Sequence, residues 1–236
     1  SDKATLRLDN DVLVTLNDNL SVPVLNLDNH SLTLGSATTD LIVEEPFSLD
    51  QPGDKLISSE AVLSFGGLVR VDDGELYSGV GIMSLEKGLV QNGGRISIDN
   101  HTLYLGGQLT RKGGTIESST LKLELTGGLS IDSHEIISLK SLELGNQTLT
   151  LDSETSDLSV LQALTFDDAN EQILTGDADA VFTGKVTLDK GQVHSISGTL
   201  SFLDGLTLGK RGTLSALNGV LEVGKEFIRT GGSLSF

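Results

Sequence analysis

The most constraining feature of this 236-residue chain is an internal duplication with no linker between the copies. The stretch LDNHSLTLGSATTDLIV beginning at Leu27 and the stretch LGNQTLTLDSETSDLSV beginning at Leu144 are identical at ten of seventeen positions, with an offset of 117. After Gly94 the offset becomes 118, and the correspondence continues to the end of the chain. The sequence therefore predicts two consecutive repeat units, residues 1–118 and 119–236, like an excerpt of a longer array.

A shorter pattern recurs within each unit, in which two apolar residues flank one variable residue and precede an Asp and a turn. In the first unit these aspartates are Asp9, Asp28, Asp50, Asp72 and Asp99. Their spacing predicts five irregular coils of about 23 residues per unit, and therefore about ten coils in the chain.

We expect the coils to be built of β-strands, because apolar residues alternate with polar ones at a period of two. Asp-Asn, Asp-Gly and Gly-Gly pairs between the strands supply residues that tolerate a positive φ and mark corners. We therefore predict an all-β fold, a single-stranded parallel β-helix (β-solenoid). The rival fold is a pair of tandem antiparallel β-sandwich domains, because LVRVDDGELYS and FLDGLTLG are compatible with hairpins.

The formal charge of −17 is divided almost evenly between the two units. Phosphate backbones and anionic membranes repel such a surface, so we expect no nucleic-acid partner and no direct membrane contact. The absence of cysteine excludes disulfides and thiolate metal sites. The chain shows no signal peptide and no apolar run near the roughly 20 residues of a membrane span, as expected of an internal excerpt.

One acidic cluster is largely kept between the units and is the best metal candidate. The weak calcium candidates are Asp50, Asp54, Asp167, Asp168 and Glu171. Carboxylates in a turn can bind Ca²⁺, but solvated turn acids explain the cluster equally well. No histidine has a second histidine at ligand spacing. We therefore assign no metal, no cofactor and no catalytic residue.

Asparagine also recurs at two corresponding places. The shared residues are Asn29 with Asn146 and Asn100 with Asn218. Stacked Asn side chains can form hydrogen-bond ladders at successive corners, and exposed turns are the alternative interpretation.

Two further pairs of residues occupy repeated positions. Phe65 and Phe182 suggest a stacked column in the core. Asp40 and Asp157 follow Thr or Ser residues, and we expect them to cap turns through hydrogen bonds to the backbone.

The long imperfect units, and motifs such as SLTLGSATTDLIV and GGRISIDNHTLYLGG, resemble the tandem repeats of very large bacterial surface proteins and filamentous adhesins. The resemblance covers the whole chain and lies in the repeat pattern and the amino-acid composition. It implies a secreted or cell-surface location and a β-solenoid stalk.

These observations favour a structural function, namely a rigid stalk or fibre segment of an extracellular bacterial surface protein. Its expected partners are neighbouring repeat units of the same protein, with end-to-end self-association. One alternative is an adhesin module that binds a receptor or glycan, for which an apolar patch in one unit only would be the sign. A polysaccharide lyase or hydrolase is the other alternative, but comparison of the units reveals no cluster of basic and acidic residues of the kind it requires.

Overall fold

The computed structural model describes residues 3–15, 18–35, 39–98, 102–117, 122–133, 136–151 and 157–236. These residues form strands, turns and bends without a helix, and the paired strands all run parallel. The structure therefore confirms the parallel β-solenoid. The sandwich alternative is wrong, since the two strands of LVRVDDGELYS do not pair with each other but join neighbours about one turn away in different sheets.

The chain divides into two compact units, Ser1–Leu121 and Lys122–Phe236. The strands of the first unit are β1 (Thr5–Arg7), β2 (Val12–Val14), β3 (Leu20–Val22), β4 (Val24–Asn26), β5 (Ser31–Leu34), β6 (Leu41–Val43), β7 (Phe47–Leu49), β8 (Lys55–Ser58), β9 (Leu63–Phe65), β10 (Val69–Val71), β11 (Glu75–Ser78), β12 (Met83–Leu85), β13 (Gly88–Gln91), β14 (Arg95–Ile98), β15 (Thr102–Arg111) and β16 (Thr115–Glu117). Sheet A contains β2, β5, β8, β11, β14 and β16, and sheet B contains β3, β6, β9, β12 and the start of β15. Sheet C contains β7, β10, β13 and the end of β15, while β1 pairs with β4.

The second unit has the same succession of strands at the corresponding positions. They are β17 (Lys122–Ser133), β18 (Ile137–Leu139), β19 (Ser141–Glu143), β20 (Thr148–Leu151), β21 (Leu158–Val160), β22 (Leu164–Phe166), β23 (Gln172–Gly176), β24 (Ala180–Phe182), β25 (Val186–Leu188), β26 (Gln192–Ser195), β27 (Thr199–Phe202), β28 (Leu206–Leu208), β29 (Thr213–Ala216), β30 (Val220–Val223), β31 (Phe227–Arg229) and β32 (Ser233–Ser235). Sheet A comprises the end of β17 with β20, β23, β26, β29 and β32; sheet B comprises β18, β21, β24, β27 and β30. Sheet C comprises β22, β25, β28 and β31, while β19 pairs with the start of β17.

Each turn of the solenoid thus uses one strand from each sheet. Most turns are shorter than the Asp pattern predicted, with 20 residues between Leu56 and Leu76, although Leu32 and Leu56 are 24 residues apart. Val71 is in register with Gln91 on the next turn. The corner residue Asp72 therefore corresponds to Asn92, 20 residues later. The Asn92 Nδ2 donates to Asp72 Oδ1 at 2.7 Å. Because Asn replaces Asp at this corner, a search for Asp skipped to Asp99, which lies outside the described residues. The first unit consequently has a six-stranded sheet A, where five coils were predicted.

The core of each unit consists of aliphatic columns that run from turn to turn. In sheet A of the first unit, Leu32, Leu56, Leu76 and Ile96 are in register and at most 1% exposed. The residues between them on each strand point outward, as the period of two predicts. Burial of these columns removes apolar surface from water on every turn and holds the turns in register.

Candidate functional site

The most elaborate corner of the first unit is organised by the buried carboxylate of Asp54, which is 2% exposed. Its Oδ2 accepts hydrogen bonds from the backbone N–H groups of Asp50 and Gln51, both at 3.0 Å. Its Oδ1 accepts the N–H of Asn29, on the preceding turn, at 2.7 Å. The carboxylate therefore closes its own turn and ties that turn to the one before it.

Glu171 performs the same task in the second unit and is 6% exposed. Its Oε2 accepts the backbone N–H groups of Asp167 at 2.7 Å and Asp168 at 3.1 Å. The five calcium candidates thus form two separate corners, one in each unit, in which one buried acid receives the N–H groups of its neighbours. Among the residues that the structure describes, no three or more His, Asp or Glu side chains are arranged to hold a metal ion.

The shared asparagines of the first offset occupy left-handed corner positions. Asn29 has a φ of 70° and Asn146 a φ of 66°, and both side chains are exposed. The Asn29 Oδ1 accepts the N–H of Gly53 at 3.0 Å, so the following turn places glycine beside it. A Cβ on Gly53 would overlap the Asn29 backbone oxygen. Asparagine is favoured here because it tolerates αL and its side chain bonds the adjacent turn.

Of the other shared pair, Asn100 and Asn218, the structure describes only Asn218. Asn218 is exposed, and its backbone N–H donates to the Ile196 oxygen at 2.7 Å on the preceding turn. Asn100 lies outside the described residues. For Asn29, Asn146 and Asn218 the structure therefore shows exposed corners, the second of the two interpretations that the sequence left open.

A second device links successive turns at the corner between sheets A and B. Asp40 Oδ1 accepts the N–H of Val62 at 3.0 Å, and Asp157 Oδ1 accepts the N–H of Asp179 at 3.0 Å. Asp179 continues the series, since its Oδ1 accepts the N–H of the residue one turn later, Thr199, at 2.6 Å. These aspartates satisfy backbone donors at corners where the strand ladder is interrupted.

The repeated phenylalanines are both fully buried, but they stack on different partners. Phe65 stacks on Phe47, with ring centroids 5.3 Å apart. Phe182 stacks on Phe202, which is in register with it on the next turn, with centroids 5.1 Å apart. A stacked Phe–Phe column therefore occurs along sheet B of the second unit, whereas the first unit pairs rings from two different sheets.

Sequence reasoning missed an inner corner built from a hydroxyl residue and a small residue three positions later. Ser58 Oγ accepts the N–H of Ala61 at 3.1 Å and lies 3.2 Å from its oxygen. Ser195 Oγ donates to the oxygen of Gly198 at 3.0 Å. A Cβ on Gly81, at the equivalent corner one turn after Ala61, would overlap the Ala61 oxygen. The signal in the sequence was a Ser or Thr followed three residues later by Ala or Gly on two successive turns of each unit, at Ser58, Ser78, Thr175 and Ser195.

The outward surface of sheet A differs between the units. In the first unit, Glu75 lies between Lys55 and Arg95 on neighbouring turns, with N–O distances of 3.4 Å and 3.3 Å. The equivalent residues of the second unit include Gln172 and Gln192. This charged ladder is therefore a property of one unit and not of the repeat.

The first turn of the first unit and the last turn of the second carry apolar side chains that are only partly buried or exposed. The former surrounds an open recess of about 400 Å³ whose lining includes Leu6, Val12 and Leu20. In the latter, Phe227 is 42% exposed, and Leu221 is only partly buried. We call these the first-turn surface (β1–β3) and the last-turn surface (β30–β32).

Comparisons of the chain with protein-family models, with curated proteins and with solved structures give no match. Within the described ranges, no helix is long and apolar enough to cross a membrane.

Proposed function

We propose that this chain is a structural repeat segment of an extracellular surface protein, and that its stacked turns form part of a rigid stalk or fibre. Its partners are then neighbouring repeat units of the same protein, joined end to end. We assign no catalytic reaction, cofactor, nucleic-acid ligand or membrane contact to the chain.

The observation that carries the proposal is the contrast between what the two units keep and what they change. Asp40 and Asp157 link successive turns in the same way, and Asp54 and Glu171 close equivalent corners. The outward ladder around Glu75, by contrast, is not repeated. A repeat that keeps its turn-linking bonds while changing its surface is suited to mechanical continuity.

The bonding within each unit supports the same role. Parallel ladders connect most strands to the turn before and the turn after, and side-chain bonds reinforce the corners. The acidic surface disfavours lateral aggregation of such segments, because like charges repel at the faces.

Single-molecule pulling on the two ends of the chain tests the stalk role. We expect turns to detach in small steps of about 20 residues, or roughly 70 Å of extended chain each. A globular domain of similar size, pulled in the same instrument, is the control. Loss of the whole chain in one event at a lower force than the control contradicts the proposal.

The extracellular location rests on the resemblance to large surface proteins and is tested separately. An antibody against the chain is expected to label intact source cells, and an external protease is expected to remove the label. Labelling that requires lysis of the cells contradicts this part of the proposal and leaves the mechanical part standing.

One observation favours the adhesin alternative enough to warrant a test. Ile196 and Leu217 occupy successive turns of the second unit and are 46% and 49% exposed. Their counterparts in the first unit are Gly79 and Asp99. If this pair contacts a receptor, replacing both residues with Ser is expected to abolish cell binding without changing the unfolding midpoint; unchanged cell binding rejects the alternative.

A further inference from the structure

We propose that two copies of this chain join head to tail in one rotational register, with β1 of one copy on β30 of the other. The inference deepens the end-to-end packing proposed above and rests on it. The last-turn surface of one copy thus binds the first-turn surface of a second copy.

Both surfaces carry strand edges that such a contact satisfies. The last turn runs through β30, β31 and β32, one strand from each sheet, and β1, β2 and β3 form the first turn. Stacking one surface on the other continues the parallel ladders, because the strands of both surfaces belong to parallel sheets. This contact is heterologous, so it propagates into a filament and does not close as a two-fold dimer.

The spiral path of the chain selects the rotation. Of the three strands in the last turn, β30 comes first in the chain. The next strand of a continuing spiral would therefore pair with β30. The first strand of the incoming copy is β1, which places β1 on β30, β2 on β31 and β3 on β32. If β1 were instead placed on β31, which precedes a sheet A strand as β1 does, the edge of β30 would be left without a partner, at a cost in unpaired backbone groups.

The first connection has the same length on both surfaces, and the second differs by one residue, since Val12 and Leu20 are eight residues apart and Phe227 and Leu234 seven. Leu221 and Phe227 are six residues apart, as are Leu6 and Val12, which lie above them. The inward residues then match apolar on apolar. These pairs are Leu6 on Leu221, Leu8 on Val223, Val12 on Phe227, Leu20 on Leu234 and Val22 on Phe236.

The outward residues also match in this rotation. Leu13, which is 64% exposed, lies on Ile228, which is 36% exposed. Arg7 lies on Glu222, giving opposite charges across the junction. Ser21 lies on Ser235, two hydroxyl side chains that can bond to each other.

Arg7 and Glu222 have hydrogen-bonding capacity left for this contact. The Arg7 Nε donates to Asp28 Oδ2 at 2.9 Å and its Nη2 donates to the same oxygen, while Ser201 Oγ donates to Glu222 Oε2 at 2.9 Å. A guanidinium has five N–H donors and a carboxylate about four acceptor sites, so each group can add a partner. The rejected rotation instead sets Arg7 on Ile228 and Leu13 on Ser235.

Disulfide trapping distinguishes the two rotations, because the chain has no native cysteine. Strands in a parallel sheet lie about 4.8 Å apart, within the Cα separation that a disulfide requires. We would mix the single variants Leu13→Cys and Ile228→Cys, oxidise the mixture mildly and measure crosslinked dimer by non-reducing electrophoresis. The matched control mixes Leu13→Cys with Ser235→Cys, the pair that the rejected rotation brings together.

We expect the Leu13–Ile228 pair to form crosslinked dimer at least about tenfold faster than the Leu13–Ser235 pair. The reverse order overturns the proposed rotation, as do equal rates. Sedimentation of the unmodified chain at high concentration separates this failure from that of the proposed function. Association without the expected crosslink rejects the rotation alone, whereas a concentration-independent monomer rejects end-to-end packing itself and the rotation with it.

Discussion

Asp54 offers the sharpest test of how the corners stabilise the fold. In Asp54→Ala, the N–H groups of Asn29, Asp50 and Gln51 lose the acceptor that all three share. A buried donor left without a partner costs about 1–3 kcal/mol, and water can reach part of this corner, so we take roughly 1 kcal/mol for each group. The expected loss of unfolding free energy is therefore about 3 kcal/mol.

Hydrogen exchange read at single amides is the suitable assay, because long repeat arrays need not unfold in one step. A loss of about 3 kcal/mol corresponds to roughly 100-fold faster exchange at the amides of Asn29 and Gln51. Asp50→Ala is the matched control, since the side chain of Asp50 is exposed at the same corner and a change within about 0.5 kcal/mol is expected. Asp54→Asn keeps the shape but only one acceptor oxygen, so we expect an intermediate effect.

Glu171→Ala provides an internal check in the second unit. It removes two backbone acceptor contacts where Asp54→Ala removes three, so a loss of about 2 kcal/mol is expected. If Asp54→Ala accelerates exchange no more than Asp50→Ala does, the carboxylate does not organise the corner and this reasoning is refuted.

Three further predictions concern packing, pH and calcium. Gly81→Ala places a Cβ against the Ala61 oxygen and is expected to lower the urea midpoint by the equivalent of about 2 kcal/mol or more. Gly128→Ala, where the Cβ would only contact the Thr148 oxygen at 3.9 Å, is expected to be neutral or slightly stabilising, and equal midpoints contradict the packing argument. A hydrogen bond from Arg70 lowers the pKa of Asp72 below its ordinary 3.8, so its contribution to stability is present above that value and is lost as the pH falls through the lowered pKa. Urea midpoints measured down to about pH 2 are expected to fall less steeply in Arg70→Met, and identical slopes argue against this coupling. Calcium at about 1 mM is expected to leave the thermal midpoint within about 1 °C of its value in a chelator, because the two buried corner acids already accept hydrogen bonds from backbone N–H groups. A saturable rise of several degrees in the midpoint would instead establish a calcium site.

Much of the fold was predictable because its determinants are local. Alternating apolar residues set the inward faces of strands such as β8, and residues tolerant of positive φ mark corners such as Asn29. The turn length was overestimated, because Asn92 replaces Asp at one corner and a pattern restricted to Asp passes over it. Replacement of one polar residue by another at a corner is invisible to a search for a single residue type.

The sequence by itself determined the duplication, the period-two alternation and the corner positions, since each depends on neighbouring residues or on comparison of one unit with the other. Only the tertiary structure decided which acid at each corner is buried, namely Asp54 rather than Asp50 and Glu171 rather than Asp167. It also decided that Phe65 stacks on Phe47, whereas Phe182 stacks on Phe202. The physical reason is that these roles arise when one turn lies on another, which brings together groups up to about 25 residues apart that no local pattern pairs.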